Sequence, residues 1–471
     1  MRDYTQFYID GEWRKPDGAK TLDVINPATE EVAGKISLGG EEHVDAAVKA
    51  ARNAFPGWSE TPLEDRISAV QKVAEIYGRR MSDIAAAVTE EMGAPEWLAQ
   101  RAQAPAGLGH LMTAIDAAKA VEWIDERGST AVVKEPIGVC GFITPWNWPM
   151  NQLTAKFAPA VLCGCTIVHK PSEIAPFSAH IFAEICDEAG LPAGVYNLVD
   201  GEGPAVGAAI AAHPGVDMVS FTGSTRAGVD VAEKAAPTVK RVHQELGGKS
   251  PTVILDDADL PAAVGDAVGA VMMNSGQSCV APARLIAPRS KLEEIEKIAA
   301  EAAAGWAPGE KTGPLVSETQ WKKVQHYIDM GGEEGARLIA GGPGKPEGFE
   351  TGYFAKPTVF SDVKNDMTIA REEIFGPVVT IIGYDDEEEA IAIANDTEYG
   401  LSARVYGGDL DRARRVASKI RAGYVHINAA PMDLKAPFGG YKKSGNGREF
   451  GVDAFDEFLE TKSILGYKKS A

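Results

Sequence analysis

The 471-residue chain lacks several features that would assign it to a specialised class of protein. It has five cysteines, an odd number without the spacing of a disulfide framework, which predicts reduced thiols and a cytoplasmic location. No apolar run approaches the roughly 18 residues that a membrane helix needs. The N-terminal segment also lacks the apolar core of a signal peptide. We therefore expect neither a membrane span nor a cleaved leader.

Basic residues are scarce relative to acidic ones. Lys and Arg number 47 against 67 Asp and Glu, and the net charge is -20. A surface for nucleic acid or for anionic membranes needs clustered Lys and Arg, so we expect neither partner. The acidic balance favours solubility and slightly repels anionic substrates at long range.

Groups of metal ligands are scarce as well. Cys163-Gly164-Cys165 has no second Cys or His pair at ligand spacing, so a buried turn between a helix and a strand is the better interpretation. The acidic run 385–389 has no spaced ligand geometry either, and it is typical of a helix start, where the dipole favours negative charge. We expect no metal site.

The pattern of strands and helices predicts an α/β fold of two or three domains. Asp10-Gly11 predicts a hairpin, and amphipathic helical patterns dominate 41–123. Beyond residue 138 the two kinds of element alternate, and a second α/β region follows residue 246. In the first region the β-rich runs are 139–143, 166–169, 195–199 and 218–221, and the helical runs are 151–162, 176–189, 203–212 and 225–235. This alternation predicts a parallel sheet of the nucleotide-binding type, with ligands beyond the carboxyl ends of its strands.

The strongest indication of chemistry is a cysteine that follows an isolated carboxylate. Cys279 stands among small polar residues at the end of a helical pattern, where a thiol can reach substrate and have its thiolate stabilised. Glu245 is followed by Leu246 and two glycines, which predicts a carboxylate on a flexible turn in a partly dry site. A raised pKa there would suit a general base. The competing interpretation is that Cys279 is inert, as most single cysteines are.

Two segments after predicted strands are candidate cofactor sites. Gly223-Ser224 opens a helical pattern, where backbone N–H groups can hold a pyrophosphate, although an ordinary capped helix start explains it equally well. Lys170 and Glu173 follow another strand, where a carboxylate can bind ribose hydroxyls. A carboxylate repels a 2'-phosphate, which favours NAD over NADP, though Lys170 partly offsets that repulsion. A solvated turn is the alternative.

An aromatic loop, Pro145-Trp146-Asn147-Trp148-Pro149, follows the first strand of this region. Two prolines make the loop rigid, so the Asn147 amide can be held in place. It could donate to a developing oxyanion together with the backbone N–H of Cys279. A structural asparagine in a proline-rich turn is the alternative.

Taken together, these motifs resemble the aldehyde dehydrogenase superfamily. The match includes Glu372-Glu373-Ile374-Phe375-Gly376-Pro377 and the segment 437–445, and it extends over nearly the whole chain, from 26–29 to 460–463. The probability that several motifs match in the correct order by chance is very small.

The resemblance implies a hydrolytic, NAD(P)-dependent oxidation of an aldehyde to a carboxylic acid. Cys279 would form a thiohemiacetal, Asn147 would stabilise its oxyanion, and Glu245 would activate water against the thioester. Glu373 would hold the nicotinamide ribose and Phe375 would pack near the ring. The cofactor positions implied are Ile143, Trp146, Lys170, Ser172, Glu173, Gly223, Ser224, Leu246, Glu373 and Phe375. Two alternatives are a CoA-acylating enzyme, against which Glu245 argues, and a cofactor-binding structural protein without turnover.

The resemblance also implies three parts. They are a Rossmann-like cofactor domain (1–123 and 138–246), an α/β catalytic domain (247–437), and a small β oligomerisation extension (124–137 and 455–471), with 438–454 as a connecting segment. We expect two short apolar segments to form exposed edge strands that pair with another chain. They are Val132-Val133 and Ser463-Ile464-Leu465. We therefore expect a homodimer or homotetramer.

The helix after the aromatic loop departs from many relatives. Where bulky apolar groups often line the aldehyde tunnel, this chain has the polar stretch 151–155, with Met273, Met432 and Phe438 as candidates for the remaining apolar wall. This predicts a wider or more polar tunnel and a preference for aldehydes that bear a polar group.

Overall fold

The computed structural model describes residues 1–468, and within that range it has four sheets. The strands are β1 (Arg2–Tyr4), β2 (Phe7–Ile9), β3 (Glu12–Arg14), β4 (Thr21–Ile25), β5 (Val32–Ser37), β6 (Ile124–Arg127), β7 (Thr130–Pro136), β8 (Val139–Ile143), β9 (Thr166–Lys170), β10 (Tyr196–Leu198), β11 (Met218–Thr222), β12 (Arg241–Glu245), β13 (Pro251–Ile254), β14 (Arg284–Pro288), β15 (Arg337–Ala340), β16 (Thr358–Ser361), β17 (Val378–Tyr384), β18 (Ser402–Tyr406), β19 (Tyr424–Ile427), β20 (Gly445–Asn446) and β21 (Leu459–Ile464). The α-helices are α1 (Glu41–Ser59), α2 (Leu63–Arg79), α3 (Met81–Met92), α4 (Glu96–Leu98), α5 (Ala104–Ala118), α6 (Pro149–Cys163), α7 (Phe177–Glu188), α8 (Ala208–Ala212), α9 (Thr225–Ala235), α10 (Leu260–Met272), α11 (Leu292–Ala304), α12 (Glu318–Glu333), α13 (Thr368–Arg371), α14 (Glu387–Asn395) and α15 (Leu410–Lys419).

An eight-stranded sheet has the order β20-β12-β11-β8-β9-β10-β2-β3. Its five central strands are parallel, which confirms the predicted parallel sheet, and the antiparallel strands stand at the two ends. β8 and β9 are buried at every position because helices cover both faces of the sheet. The hairpin predicted at Asp10-Gly11 joins β2 to β3, and both of these turn residues have positive φ.

The order of the central strands creates a crevice at one edge of this sheet. The chain runs from β8 outward to β9 and β10, then returns to the other side of β8 to form β11 and β12. Ile143 pairs with Lys170, and Thr222 pairs with Glu245, so these four strands end at the same edge. A reversal of strand order of this kind is where open α/β sheets bind ligands.

A seven-stranded sheet has the order β15-β16-β17-β14-β13-β18-β19 and is parallel except for β15. α10 packs against its apolar face through residues such as Val264 and Val268. The chain leaves α10 through a 3-10 turn over Met273–Gly276, passes Cys279 and enters β14. The sheet therefore fixes both ends of the cysteine loop.

The third and fourth sheets are small. One is β1-β5-β4, and the other is β21-β7-β6, formed by the hairpin 124–136 and the last strand. The prediction that Val132-Val133 is an edge segment is wrong, because β7 is the middle strand and pairs with β21 of the same chain. The predicted extension reaches residue 471, and 469–471 lie outside the described residues.

Two observations complete the description of the chain. Gly164 ends α6 in the left-handed conformation, so Cys163 and Cys165 flank the predicted buried turn. No helix in residues 1–468 has the length and apolar character needed to cross a membrane.

Candidate active site

Cys279 lies between two cavities. A cavity of about 210 Å³ is lined by Asn147, Gly223, Glu373 and other residues near the carboxyl edge of the eight-stranded sheet. A second cavity, of about 390 Å³, is lined on its apolar side by groups such as Phe438. Cys279 lines both cavities, as does Gln152. We call the first the cofactor cavity and the second the substrate cavity.

The loop that carries Cys279 has an uncommon backbone. Asn274, Ser275 and Gly276 all have positive φ, of 52°, 56° and 75°. A side chain on Gly276 would place its Cβ 2.0 Å from the carbonyl oxygen of Gly376, so only glycine fits there. Three successive left-handed residues turn the chain sharply out of α10 and direct it past the cavities.

Buried amides hold this loop against the aromatic loop. Asn274 Nδ2 donates to the backbone oxygen of Asn147 at 2.9 Å and to that of Gln277 at 3.1 Å. Gln103 Nε2 donates to the same Asn147 oxygen at 3.0 Å, and Asn147 Nδ2 donates to the Gln277 oxygen at 3.1 Å. The amide of Asn147 is thus fixed two residues from Cys279. Buried hydrogen-bond networks rigidify a site in this way.

Glu245 is the last residue of β12, so the expectation of a flexible turn is wrong. It pairs with Gly445 of β20 and with Thr222 of β11, and its side chain is buried. Within residues 1–468 neither carboxylate oxygen has a hydrogen-bond partner. Burial raises the pKa of Glu245 well above its ordinary value, and the charge of Glu449 raises it further. The expected raised pKa is therefore present, on a rigid strand.

A buried ion pair lies close to Glu245. Lys156, from the middle of α6, donates to Glu449, and both side chains are almost fully buried. Lys156 and Arg448 favour the ionised form of Glu245, whereas Glu449 opposes it. His243 Nε2 is 3.7 Å from Glu245 Oε1, and burial lowers the pKa of His243, so this ring is neutral. The protonation of Glu245 therefore depends on the charge of this pair.

The protein environment does not stabilise the thiolate of Cys279, contrary to the expectation from its polar neighbours. Burial raises the pKa of the Cys279 thiol above its ordinary value, and the charges of Glu245, Glu373 and Glu449 raise it further. A thiol in this setting needs a base to accept its proton or a cation to stabilise its charge.

The cofactor cavity contains six of the ten predicted cofactor residues. They are Trp146, Gly223, Ser224, Leu246, Glu373 and Phe375. Trp146 and Phe375 meet edge to face with ring centroids 5.4 Å apart. Glu373 Oε1 accepts from the backbone N–H of Gly248 at 2.9 Å, and burial raises the pKa of this carboxyl while that N–H and two lysines counteract the effect. The cavity is thus lined by an aromatic pair and by a carboxylate.

The other four predicted cofactor residues lie at the ends of the adjacent strands. Ile143 ends β8, Lys170 ends β9, and Ser172 and Glu173 follow β9. Lys170 is buried and its Nζ donates to Glu173 at 2.7 Å, which argues against a merely solvated turn. Ser224 is the N-cap of α9 and accepts from the backbone N–H of Ala227 at 3.3 Å. Ser224 therefore caps the helix, as the alternative interpretation predicted. This cap leaves other N–H groups of the first turn available to a ligand.

The polar stretch 151–155 contributes less to the substrate cavity than we expected. Asn151 and Gln152 line the cavity, while the remaining three side chains are buried elsewhere on α6. Met273, Met432 and Phe438 line it as expected.

Several residues of the site were not found from the sequence. Lys156 had a detectable signal, since it is the one charged residue of α6, and Glu449 had none. Gln103 and Asn274 are ordinary amides in the sequence, and only their contacts distinguish them.

Comparison with known proteins gives a consistent result. The model of the aldehyde dehydrogenase family matches residues 13–464. A 3-succinoylsemialdehyde-pyridine dehydrogenase from a Pseudomonas species is 57% identical, with both chains covered in full. Aldehyde dehydrogenase C from Pseudomonas syringae, a mutant crystallised with NAD+ and octanal, is 51% identical with a TM-score of 0.98, covering 99% of this chain and 98% of that one. A Mycobacterium tuberculosis aldehyde dehydrogenase complexed with NAD+ is 41% identical with a TM-score of 0.96, covering 98% of each chain.

Proposed function

Because this chain belongs to the aldehyde dehydrogenase family, we propose that Cys279 is the nucleophile of an NAD+-dependent oxidation of aldehydes to carboxylic acids. The observation that carries the proposal is that Cys279 lines both cavities. One cavity has the aromatic and carboxylate groups predicted for the cofactor, and the other has a large apolar wall. A thiol between the two cavities can bind the carbonyl carbon of an aldehyde that lies in the substrate cavity. The hydrogen on that carbon then faces the cofactor cavity.

In the first step the Cys279 thiol passes its proton to water, and the resulting thiolate attacks the aldehyde carbon and forms a thiohemiacetal. Asn147 Nδ2 donates one N–H to the Gln277 oxygen, which leaves its second N–H for the developing oxyanion. The backbone N–H of Cys279 is the other donor. Two fixed donors stabilise such charge because they need not reorganise during the reaction. NAD+ held by Trp146, Glu373 and Phe375 would supply the hydride acceptor, and loss of the hydride from the thiohemiacetal carbon leaves Cys279 as a thioester.

In the second step Glu245 accepts a proton from water as the water oxygen attacks the thioester, the acyl–sulfur bond breaks, and the products are a carboxylic acid and the Cys279 thiolate, which the Glu245 proton can then neutralise. The raised pKa of Glu245 suits this role, because a base that titrates nearer the working pH accepts protons more effectively. The presence of this carboxylate supports hydrolysis over transfer of the acyl group to CoA.

The residues at the sheet edge fit NAD+ better than NADP+. The two strands nearest the reversal end at Ile143 and Thr222, and Gly223-Ser224 leads into α9, whose first N–H groups suit a pyrophosphate. Glu173 would bind the adenosine ribose hydroxyls. Lys170 is already paired with Glu173 at 2.7 Å, so its charge is not free to bind a 2'-phosphate.

The test is NADH formation from octanal and other aldehydes, with NAD+ or NADP+ and with or without CoA. We expect NADH and free carboxylic acid without CoA, and a smaller rate with NADP+. Strict dependence on CoA, or accumulation of acyl-CoA as the main product, would overturn the hydrolytic assignment. No reduced cofactor from any aldehyde would overturn the oxidation itself.

We also propose the three-part division stated above and a homo-oligomer assembled through the extension. Ile464 and Leu465 on and after β21 are exposed to solvent, at 38% and 81%, and Ile124 on β6 is 47% exposed. Edge strands with exposed apolar groups favour pairing with another chain. Light scattering at micromolar concentration should give a mass of two or four chains, and a stable monomer would contradict the proposal.

The free cysteines support a cytoplasmic location.

A further inference from the structure

The substrate cavity has a polar patch that the proposed mechanism does not use. Arg404, Asp266, Ser402 and His426 line the cavity together with the apolar wall. Arg404 and Ser402 lie on β18 and Asp266 lies on α10, so the patch is supported by regular elements. A polar side chain on a helix or strand is suited to recognising a substrate, because its position is fixed.

The charges of this patch cancel. Arg404 Nη1 contacts the carboxylate of Asp266, and Tyr406 donates to the same carboxylate oxygen. Burial lowers the pKa of His426 below its ordinary value, so this ring is neutral at pH 7. Burial also lowers the pKa of His110, which is hydrogen-bonded to Asn151 at the cavity wall, to about 4.

Among the described residues that line the cavity, none presents an unbalanced positive charge. A carboxylate that leaves water for a site without an unpaired cation loses its hydration without full compensation. The net charge of -20 also disfavours the approach of anions. Aldehydes that carry a distant carboxylate are therefore poor occupants of this cavity.

The same patch offers hydrogen-bond donors. Arg404 uses Nη1 for its contacts with Asp266 and Tyr406, and within residues 1–468 its Nε and Nη2 have no hydrogen-bond partner. An uncharged acceptor can bind these N–H groups without disturbing the ion pair. The apolar wall, which includes the stacked rings of Phe438 and Phe450 at 4.9 Å, can contact the rest of the molecule.

We propose that Arg404 determines specificity by donating to an uncharged acceptor, such as a ketone oxygen, on an aldehyde held by Cys279. The enzyme then prefers neutral aldehydes with such an acceptor over alkyl aldehydes and over aldehydes that end in a carboxylate. This inference rests on the proposed function and names the substrate class of the same site.

Three aldehydes of similar size separate these possibilities: 4-oxopentanal has the acceptor, pentanal lacks it, and succinic semialdehyde has a carboxylate. We expect kcat/KM for 4-oxopentanal to exceed that for pentanal about 10-fold, a difference typical of one hydrogen bond to a charged donor. Succinic semialdehyde should fall below pentanal by a similar factor.

The variant Arg404→Met keeps a long side chain and removes the donors, so the ratio of kcat/KM between 4-oxopentanal and pentanal should fall to about 1. Asp266→Asn leaves Arg404 unbalanced and should raise the relative rate with succinic semialdehyde about 10-fold. Arg414→Met makes the same chemical change on the exposed side of α15 and should leave both ratios unaltered. Melting temperatures establish that each variant is folded.

A wild-type ratio near 1, or an unchanged ratio in folded Arg404→Met, would overturn this inference while the proposed function stands. A rate with succinic semialdehyde above that with pentanal in the wild type would also overturn it. If none of the three yields NADH although octanal does, the inference is wrong and the proposed function stands, whereas failure of octanal and every other aldehyde as well rejects both.

Discussion

Cys279→Ala is expected to lower steady-state NADH formation by at least about 10⁴-fold, because the variant has no nucleophile and cannot form the thiohemiacetal. The loss should appear in the first turnover as well, with no burst of NADH after mixing with octanal. Stopped-flow absorbance is the measurement. NAD+ should still bind, since the other lining residues of the cofactor cavity are intact.

Cys186→Ala is the matched control. This cysteine is fully buried in α7 and lines neither cavity, and its loss should leave the burst in place. A Cys279→Ala enzyme that still gives a burst would show that another group attacks the aldehyde, and the proposed mechanism would be wrong.

Glu245→Gln is expected to separate the two halves of the reaction. Glutamine cannot accept a proton, so hydrolysis of the thioester should slow by about 10³-fold while hydride transfer continues. The first turnover should give one NADH per active site and then stop. Mass spectrometry should find an acyl group on Cys279. Glu301→Gln, an exposed position on α11, is the control and should turn over normally.

The pH dependence follows from the direction of the pKa shift. The pKa of Glu245 is raised, so the fraction of ionised base increases with pH well above the range of an ordinary glutamate. Wild-type deacylation should rise with pH across that range, and the residual deacylation of Glu245→Gln should lose this rise. If the variant loses the burst as well, Glu245 acts on the Cys279 proton, and the assignment to water changes.

Local patterns in the sequence predicted four of the five parallel strands of the eight-stranded sheet, β8 to β11, closely, and β12 was not predicted. The predicted strand 139–143 and helix 225–235 coincide with β8 and α9. Short β-rich runs between turn signals are sufficient for this, because they depend on near neighbours. The same alternation of strands and helices predicted which residues lie together at one edge of the parallel sheet, such as Lys170 and Gly223.

The electrostatics of the site could not be predicted in this way. Lys156 and Glu449 are 293 residues apart, and no local pattern reports their contact. The strand conformation of Glu245 also depends on other segments, because this residue pairs with Thr222 of β11 on one side and with Gly445 of β20 on the other. The polar neighbours of Cys279 predicted a stabilised thiolate, whereas burial and, after it, three carboxylates from other segments raise the pKa of the thiol. Contacts between residues that are distant in the sequence contribute to each of these properties.

The position of β20 has a consequence for synthesis of the chain. The sheet that begins with β2 gains its terminal strand only at residues 445–446. At about 5–20 residues per second, a ribosome needs on the order of 10–40 s to travel from β12 to β20. During that interval the edge of β12 has no strand to cover it, and an uncovered edge is where nascent chains pair with one another. The β12 edge is therefore covered only after residues 445–446 have been synthesised, and binding of a chaperone to this edge should end at that point.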